Sequence, residues 1–163
     1  MVSKHDVRVE PRCYAIDARP DRSRAAVTKS DGEGVELVAA RPGVEWLTEA
    51  FEDKAEKLPI IVDKNGPASG QADRLEAAGF EIVRLDSLAV RKACGRFYDA
   101  VIDARVRVRA DERLDSAVAH AVQKSTADSW AWNRDAEGGE LLMAISLAFS
   151  YTPQSWTPMV GTV

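Results

Sequence analysis

Short runs of apolar residues, separated by turn-forming residues, occupy the first forty positions of the chain. The pattern predicts three strands, near residues 13–17, 23–28 and 34–39. The turns between them carry Pro20-Asp21 and Asp31-Gly32-Glu33-Gly34, in which glycine accepts positive φ and aspartate hydrogen-bonds its own backbone. This part of the chain is therefore predicted to be an antiparallel meander.

After Pro42-Gly43 the apolar spacing takes on a helical period. Apolar residues from Val44 to Leu58 predict an amphipathic helix with one face turned inward. The segment from Leu58 to Val62 is almost wholly apolar, which is typical of a strand buried on both faces of a parallel sheet. A helix over 69–78, stopped by Gly79, and a strand over 80–85 follow. A strand, a helix and a strand in one sheet imply a right-handed parallel crossover.

The rest of the chain is predicted to be mainly helical. Apolar positions mark one helix over 89–101 and another over 114–122, with a short extended segment at 106–108 between them. A Trp130-Ala131-Trp132 segment precedes the last helix, over 141–151, which is apolar nearly all round and is therefore expected at the centre of the fold.

These elements define the fold class and the domain organisation. We expect an α/β protein with a mixed sheet, in which a three-stranded antiparallel meander is followed by parallel strands and helices flank the sheet. A length of 163 residues fits one domain with a core of its own. We assign residues 1–11 to an N-terminal extension, 12–151 to the domain and 152–163 to a loose C-terminal tail.

Charge restricts the possible partners. A formal net charge of −4 argues against a protein that grips nucleic acid by bulk electrostatics. The balance is uneven, because residues 31–57 contain eight acidic and three basic residues, whereas residues 84–113 contain eight basic and five acidic ones. Arg105, Arg107 and Arg109 lie in the basic segment, which is either a DNA-binding face or a solvated surface.

Several classes of site are not indicated. Cys13 and Cys94 have neither metal-ligand spacing nor the density of a disulfide scaffold, so both are predicted to be buried reduced thiols. His5 and His120 are far apart in the sequence and have no cysteine partner nearby, which argues against zinc. The sequence has no apolar run of membrane-spanning length and no signal peptide, so we expect a cytoplasmic protein without a membrane partner.

The candidate chemistry lies where two predicted strands end. Asp17 ends the first strand of the meander, and Asp63 ends the apolar strand 58–62. Carboxylates on neighbouring rigid strands suit Mg²⁺ or Mn²⁺, which prefer oxygen ligands held in a defined geometry. Asp17 alone is better interpreted as a strand-end turn residue, but the pair indicates a phosphoryl-transfer centre and hence a nuclease.

Several motifs together resemble a known family, the C-terminal nuclease domain of the phage large terminase subunit. The resemblance runs from about Tyr14 to Phe149. The segments that carry it are Ala15-Ile16-Asp17 with Pro20-Asp21-Arg22-Ser23, Val62-Asp63-Lys64-Asn65-Gly66-Pro67-Ala68, Ala93-Cys94-Gly95-Arg96-Phe97-Tyr98-Asp99-Ala100-Val101, Leu114-Asp115-Ser116-Ala117-Val118 and Trp130-Ala131-Trp132-Asn133-Arg134.

The resemblance implies an RNase H-like fold whose carboxylates bind two divalent ions, Mg²⁺ or Mn²⁺. It also implies an endonuclease that cuts concatemeric double-stranded viral DNA during genome packaging, in a host-cell cytoplasm. The family's ATPase motor carries a Gly-x-x-x-x-Gly-Lys-Ser/Thr loop that this sequence lacks, so the chain corresponds to the nuclease half. The small terminase subunit and the portal are the further partners that the resemblance implies.

Site residues transfer from the family position by position. The family's first-strand aspartate falls on Asp17, which would bridge both ions, and its second acidic ligand falls on Asp63. The third acid of the family stands at the start of the last helix, where this sequence departs from the pattern. Counting forward from Trp132 places this acid at Glu140, whereas counting back from Leu147-Ala148 places it at Gly138. We select Glu140, with Glu137 as the substitute.

Residue type and local pattern support weaker assignments at several other positions. Asp21 is either an auxiliary metal ligand or a turn former bonded to the backbone near Ser23. Lys64 and Asn65 could contact a phosphate of the scissile strand, although Asn65-Gly66-Pro67 is also an ordinary turn. Trp130 and Trp132 fit core positions better than base-stacking ones.

Two alternative functions stay open at the level of sequence. The altered third acid fits an RNase H-like module that no longer cuts and instead positions DNA or docks on a capsid. Strand-end carboxylates also occur in another class of RNase H-like nuclease, the Holliday-junction resolvases, which prefer branched DNA.

Overall fold

The computed structural model describes residues 3–54, 56–126 and 128–152. These residues form nine strands and five helices. The strands are β1 (Ser3–His5), β2 (Cys13–Ala18), β3 (Arg24–Ser30), β4 (Gly34–Pro42), β5 (Ile60–Asp63), β6 (Ile82–Leu85), β7 (Arg107–Arg109), β8 (Gln123–Ser125) and β9 (Trp130–Trp132). The helices are α1 (Trp46–Glu52), α2 (Ser69–Ala77), α3 (Ser87–Ile102), α4 (Glu112–Ala119) and α5 (Gly139–Ser150).

Seven strands form one mixed sheet in the order β1-β7-β4-β3-β2-β5-β6. Strands β2, β3 and β4 pair antiparallel, which confirms the meander. Strand β5 pairs parallel with β2 on one side and with β6 on the other. The predicted crossover from β5 through α2 to β6 is therefore confirmed, and so is the α/β fold class with its mixed sheet.

Helices cover both faces of this sheet and divide the core in two. One cluster packs α3, α4 and α5 against residues such as Ala15 and Ile61. The other packs α1 and α2 against residues such as Ile16 and Val62. Because adjacent strand residues point to opposite faces, Asp17 and Asp63 share the face that α3 and α5 cover.

Helix α5 is central, as its apolar composition predicts. Every residue from Gly139 to Phe149 is buried. The Thr28 hydroxyl on β3 donates a hydrogen bond of 2.8 Å to the Ala144 carbonyl in this helix. The helix therefore lies directly on the meander, and its first turn is held beside the ends of the central strands.

The structure shifts several predicted boundaries and adds two strands. The predicted helix over 44–58 is shorter, because α1 ends at Glu52 and the chain then runs on to β5. The predicted helix over 114–122 ends at Ala119, because residues 123–125 pair with 130–132 as a hairpin. Helix α5 begins at Gly139, so Glu140 lies in its first turn.

The two unpredicted strands, β1 and β8, are short and polar. Strand β1 pairs parallel with β7 at the edge of the sheet, so residues 3–5 of the predicted extension pack into the main sheet. Neither strand has an apolar alternation, because both are defined by the partner strand rather than by burial of their own side chains. The tail prediction, apart from residue 152, concerns residues outside the described ranges.

Both cysteines are buried free thiols, as predicted. Burial raises the pKa of the Cys13 thiol to about 12 and that of Cys94 to about 11. Among the described residues, no helix combines the length and the apolarity required to span a bilayer.

Candidate functional site

The register of two parallel strands brings Asp17 and Asp63 together. Ala15 on β2 pairs with Ile61 on β5, and each aspartate lies two residues further along its own strand. Both carboxylates therefore leave the sheet at the same level, on the same face and at the carboxyl ends of neighbouring parallel strands. This edge is the usual position of ligands in open α/β sheets.

A single guanidinium joins the two carboxylates. Arg134 Nη2 donates to Asp17 Oδ1 and to Asp63 Oδ2, each at 2.9 Å, and Arg134 Nε donates to Asp17 Oδ2 at 2.8 Å. Both oxygens of Asp17 are therefore engaged, and one oxygen of Asp63. The side chains of Asp17 and Asp63 are 0% and 10% exposed, and that of Arg134 is 17% exposed, so the three charges lie almost out of water.

Burial and charge oppose each other in this cluster. Complete burial raises the pKa of Asp17 to about 6, although the Arg134 charge acts in the opposite direction. Burial disfavours the charged form of Arg134, but the two aspartates outweigh it and raise the pKa of Arg134. Arg134 therefore stays protonated at neutral pH, where Asp17 is largely ionised. Two acidic side chains face one guanidinium, so acids outnumber bases at the site.

The loop after β5 packs closely on Asp63. The Asn65 amide donates to Asp63 Oδ1 at 3.0 Å, which fixes one oxygen of the carboxylate. A Cβ atom placed on Gly66 would lie 2.9 Å from Asp63 Cβ and 3.0 Å from its Oδ2. Only glycine therefore lets this loop turn over the aspartate without moving it.

Arg134 lies in the loop between β9 and α5, and the start of α5 supports that loop. The Asn133 side chain accepts a hydrogen bond from the Asp135 amide at 2.9 Å, which closes a turn around Arg134. A Cβ atom on Gly139 would overlap the Asn133 carbonyl oxygen and lie 2.8 Å from Arg134 Cα. Gly138, with φ of +75°, directly precedes α5 and lies against Ala117 of α4.

Glu140 is buried in the first turn of α5, with 3% of its surface exposed. Its Oε1 has no hydrogen-bond partner among the described residues, and the nearest cation, Arg19 Nη1, lies 3.8 Å away. Arg19 itself donates to the carbonyl oxygens of Asp135 and Ala136, at 3.2 and 3.3 Å. A buried carboxylate oxygen without a close donor has an open position for a cation.

Two of the predicted acids, Asp17 and Asp63, are placed to hold a divalent ion, whereas the third, Glu140, lies apart from them. Arg134 Nη2, in contact with both aspartates, shows that the two carboxylates converge on one cation. Within the described part of the chain, no three His, Cys, Asp or Glu side chains are grouped as a metal site. As the side chains lie, Asp17 and Asp63 are the candidate ligands, and Glu140 requires a movement to join them.

The two other predicted acids have different surroundings. Glu137 is exposed and accepts a hydrogen bond from the Ser116 hydroxyl at 2.9 Å, with His120 Nδ1 at 3.3 Å, so it faces α4. Asp21 is exposed, and its carboxylate accepts a hydrogen bond from the Ser23 amide at 2.9 Å. Through this hydrogen bond Asp21 acts as a turn former, which is one of the two interpretations that the sequence allows.

The predicted DNA contacts fall in two places. Lys64 and Asn65 are exposed and follow Asp63 directly, at the mouth of the site. Arg105, Arg107 and Arg109 lie on and beside β7, which β4 and β3 separate from β2. Arg105 forms an ion pair with Asp103 at 3.5 Å, Arg107 with Glu33 at 3.5 Å and Arg109 with Glu36 at 3.6 Å. Each of these arginines therefore has an acidic neighbour, and Glu36 is shared with Lys29 at 3.8 Å.

The aromatic pair takes core positions, in line with the packing interpretation. Trp132 is 8% exposed, and its Nε1 donates to the Ser146 hydroxyl of α5 at 2.9 Å. Trp130 packs edge-on against Tyr98 of α3, with ring centroids 5.7 Å apart. This packing anchors β9 on α3 and α5, and so it positions the loop that carries Arg134.

Sequence reasoning missed the two arginines of the site, Arg134 and Arg19. Arg134 lies within a quoted motif but received no role. The signal for Arg134 in the sequence is that it is the single basic residue of a loop whose other charged residues, Asp135 and Glu137, are acidic. Arg19 directly follows β2, whose carboxyl end also carries Asp17.

The fold is the RNase H-like α/β fold, with a mixed sheet, helices on both faces and acids at the ends of the central strands. More particularly, it is the fold of large terminase nuclease domains. The large terminase nuclease of thermophilic phage G20c superposes with a TM-score of 0.65 at 17% identity, covering 91% of this chain and 87% of that one.

Two further solved structures show the same fold. The G20c nuclease with bound magnesium has a TM-score of 0.59 at 20% identity, covering 90% of this chain and 84% of that one. The large terminase nuclease domain of Thermus phage P74-26 has a TM-score of 0.58 at 15% identity, with coverages of 89% and 82%. No family model matches the sequence, and no curated protein sequence matches it.

Proposed function

We propose that this chain is the divalent-ion-dependent endonuclease domain of a viral DNA-packaging terminase. It would cut concatemeric double-stranded DNA by hydrolysing phosphodiester bonds at a centre of two metal ions, Mg²⁺ or Mn²⁺. The observation that supports this function best is the convergence of Asp17 and Asp63 on one cation, at the ends of adjacent parallel strands. The fold shared with terminase nucleases, one of which was solved with bound magnesium, supports the same function.

Asp17, Asp63 and Glu140 would take different roles, according to their positions in the site. Bound divalent ions would activate the attacking water and stabilise the leaving oxygen. Asp17, fully buried on the central strand, has both oxygens in the site and suits a bridging ligand. Asp63 offers Oδ2, because the Asn65 amide holds Oδ1. Glu140 offers its unpartnered Oε1 from the helix side.

DNA would approach the strand ends, where Lys64 and Asn65 are exposed. The arginines of β7 are paired with acids and lie on the other side of the meander, so they would contribute little to the cut site. With a net charge of −4, the isolated domain should bind linear duplex weakly and with strong salt dependence. An ATPase motor, a small terminase subunit and a portal are the partners that would supply the local concentration.

The first test is ion-dependent cleavage of supercoiled plasmid by the purified domain. We expect nicked and linear products with Mn²⁺ or Mg²⁺, and none after chelation with EDTA. Calorimetry under the same conditions should detect Mn²⁺ binding. Absence of cleavage at high protein concentration, together with absence of bound Mn²⁺, would contradict the proposal.

The third acid is tested by two matched substitutions. We expect Glu140→Gln to lower the cleavage rate by about tenfold to 100-fold, because it neutralises a buried carboxylate beside the aspartates. Glu137→Gln should leave the rate within about twofold, because Glu137 is exposed and bonded to Ser116. Initial rates at several Mn²⁺ concentrations separate ion affinity from turnover. A loss confined to Glu137→Gln would reverse the assignment.

One observation favours a second function, a module that positions DNA without cutting it. Arg134 already neutralises part of the charge of Asp17 and Asp63, and Glu140 stays apart from them. A protein that had lost its ions could keep such a cluster as a structural ion pair. DNA binding without cleavage, unaffected by chelation, would identify this function.

A further inference from the structure

We propose that Arg134 competes with the divalent ion for Asp17 and Asp63, and that a DNA phosphate relieves this competition by taking over the guanidinium. The proposal rests on the proposed nuclease function and adds a coupling between ion binding and DNA binding. Arg134 is then a positioning residue that makes loading of the site depend on the substrate.

The geometry makes the two cations mutually exclusive. Arg134 Nη2 lies 2.9 Å from one oxygen of each aspartate. A magnesium ion shared by the same two oxygens would lie about 2.0–2.1 Å from each of them. The ion and the guanidinium nitrogen would therefore occupy overlapping space between the carboxylates. Since Nε also holds the second oxygen of Asp17, the guanidinium must leave both aspartates before an ion can bridge them.

The displaced guanidinium needs a new anionic partner. Arg134 is largely buried and cannot lose its charge, so leaving the aspartates without replacement is unfavourable. Ion binding to the free protein carries this penalty. The same pairing also explains how the ion-free domain holds two buried carboxylates side by side without strong repulsion.

A phosphodiester is the partner that matches the chemistry. A guanidinium binds phosphate oxygens with the same forked geometry that it uses for carboxylates. Arg134 is 17% exposed and contacts both aspartates at the strand ends, where DNA would approach, so its loop borders the side of the site that DNA would face. When DNA is present, the ion takes the carboxylates and Arg134 takes the phosphate. Linkage then requires that DNA raise ion affinity and that the ion raise DNA affinity by the same factor.

The experiment measures Mn²⁺ binding by calorimetry, with and without a short duplex carrying phosphorothioate linkages that slow hydrolysis. The proteins are the wild type, Arg134→Gln, Arg134→Lys, Arg74→Gln and Asp63→Asn. Arg74 is exposed on α2, across the sheet from the site, so its substitution removes the same charge without touching the aspartates. Gel analysis of the duplex confirms that it stays intact.

Without DNA, we expect Arg134→Gln to bind Mn²⁺ about tenfold or more tightly than the wild type, and Arg74→Gln to match the wild type. Arg134→Lys should also bind more tightly than the wild type, because an ammonium keeps the charge but cannot fork across both aspartates. The duplex should increase Mn²⁺ affinity about tenfold more in the wild type than in Arg134→Gln.

Thermal unfolding gives a readout that does not depend on DNA. Arg134→Gln should melt below the wild type in EDTA, because two carboxylates then face each other, and Mn²⁺ should raise its melting temperature more than that of the wild type. This recovery shows that the variant folds.

Two outcomes separate this proposal from the nuclease assignment. Equal Mn²⁺ affinity in the wild type and Arg134→Gln, lost in Asp63→Asn, would overturn the competition and leave the metal site standing. Wild-type affinity in Arg134→Lys would mean that charge alone acts through space, which also overturns the competition. Absence of Mn²⁺ binding in every protein would overturn both the metal site and the coupling.

Discussion

Replacement of Asp17 by asparagine is expected to lower ion-dependent plasmid cleavage by about 10³-fold or more. A bound ion contributes several kcal/mol of transition-state stabilisation, and each 1.36 kcal/mol corresponds to about a factor of ten in rate. Asparagine has nearly the shape of aspartate, but it offers a single neutral oxygen where Asp17 places two charged ones in the site. Initial rates of plasmid nicking with Mn²⁺ check the loss.

The matched control is Asp53→Asn, which makes the same chemical change at an exposed residue directly after α1, on the other face of the sheet. Its cleavage rate should stay within about twofold of the wild type. Circular dichroism should show the same secondary structure in both variants, because Arg134 keeps Asp63 as a partner in Asp17→Asn. Cleavage by Asp17→Asn within tenfold of the wild type would place the catalytic centre elsewhere.

Gly139→Ala should destabilise the protein by about 3 kcal/mol in the free energy of unfolding. An added Cβ overlaps the Asn133 carbonyl oxygen and lies 2.8 Å from Arg134 Cα. Both are backbone atoms, so the loop cannot yield by changing a rotamer. Either the start of α5 or the Arg134 loop must shift. Urea denaturation of the purified variant measures the change.

Gly95→Ala is the control for this prediction. Gly95 lies inside α3, and a Cβ added there meets no atom within 4 Å beyond its chain neighbours and the backbone of its own helix. Alanine should therefore stabilise the protein by about 0.5–1 kcal/mol, because glycine is a poor helix former. The two substitutions make the same change of atoms with opposite expected signs. Equal stability of Gly139→Ala and the wild type would show that the loop is not tightly packed on α5.

Prediction from sequence succeeded where an apolar pattern was long or was bounded by strong turns. The meander, the crossover through α2 and the buried helix α5 were predicted correctly, because their apolar residues follow the period of the element that buries them. The strands β1 and β8 were missed for the opposite reason. They are polar and three residues long, and their backbone partners alone define them.

The site residues show the same contrast between local patterns and long-range contacts. Asp17 and Asp63 were visible in the sequence because each ends an apolar strand, and a strand end is a local property. The interpretation of Asp21 as a turn former likewise needs only the nearby Ser23 amide. The sequence pattern did not fix the start of α5, and the structure places Glu140 in the buried first turn and Glu137 in the exposed loop before it.

By itself, the sequence determined the fold class and the two acids that end central strands, since both follow from the apolar periodicity of single segments. Only the tertiary structure placed these acids side by side, because the parallel register of β2 and β5 is a relation between strands more than forty residues apart. It also revealed Arg134, which comes 71 positions after Asp63 yet contacts both aspartates. No local pattern encodes which cation a long-range contact will bring to a pair of carboxylates.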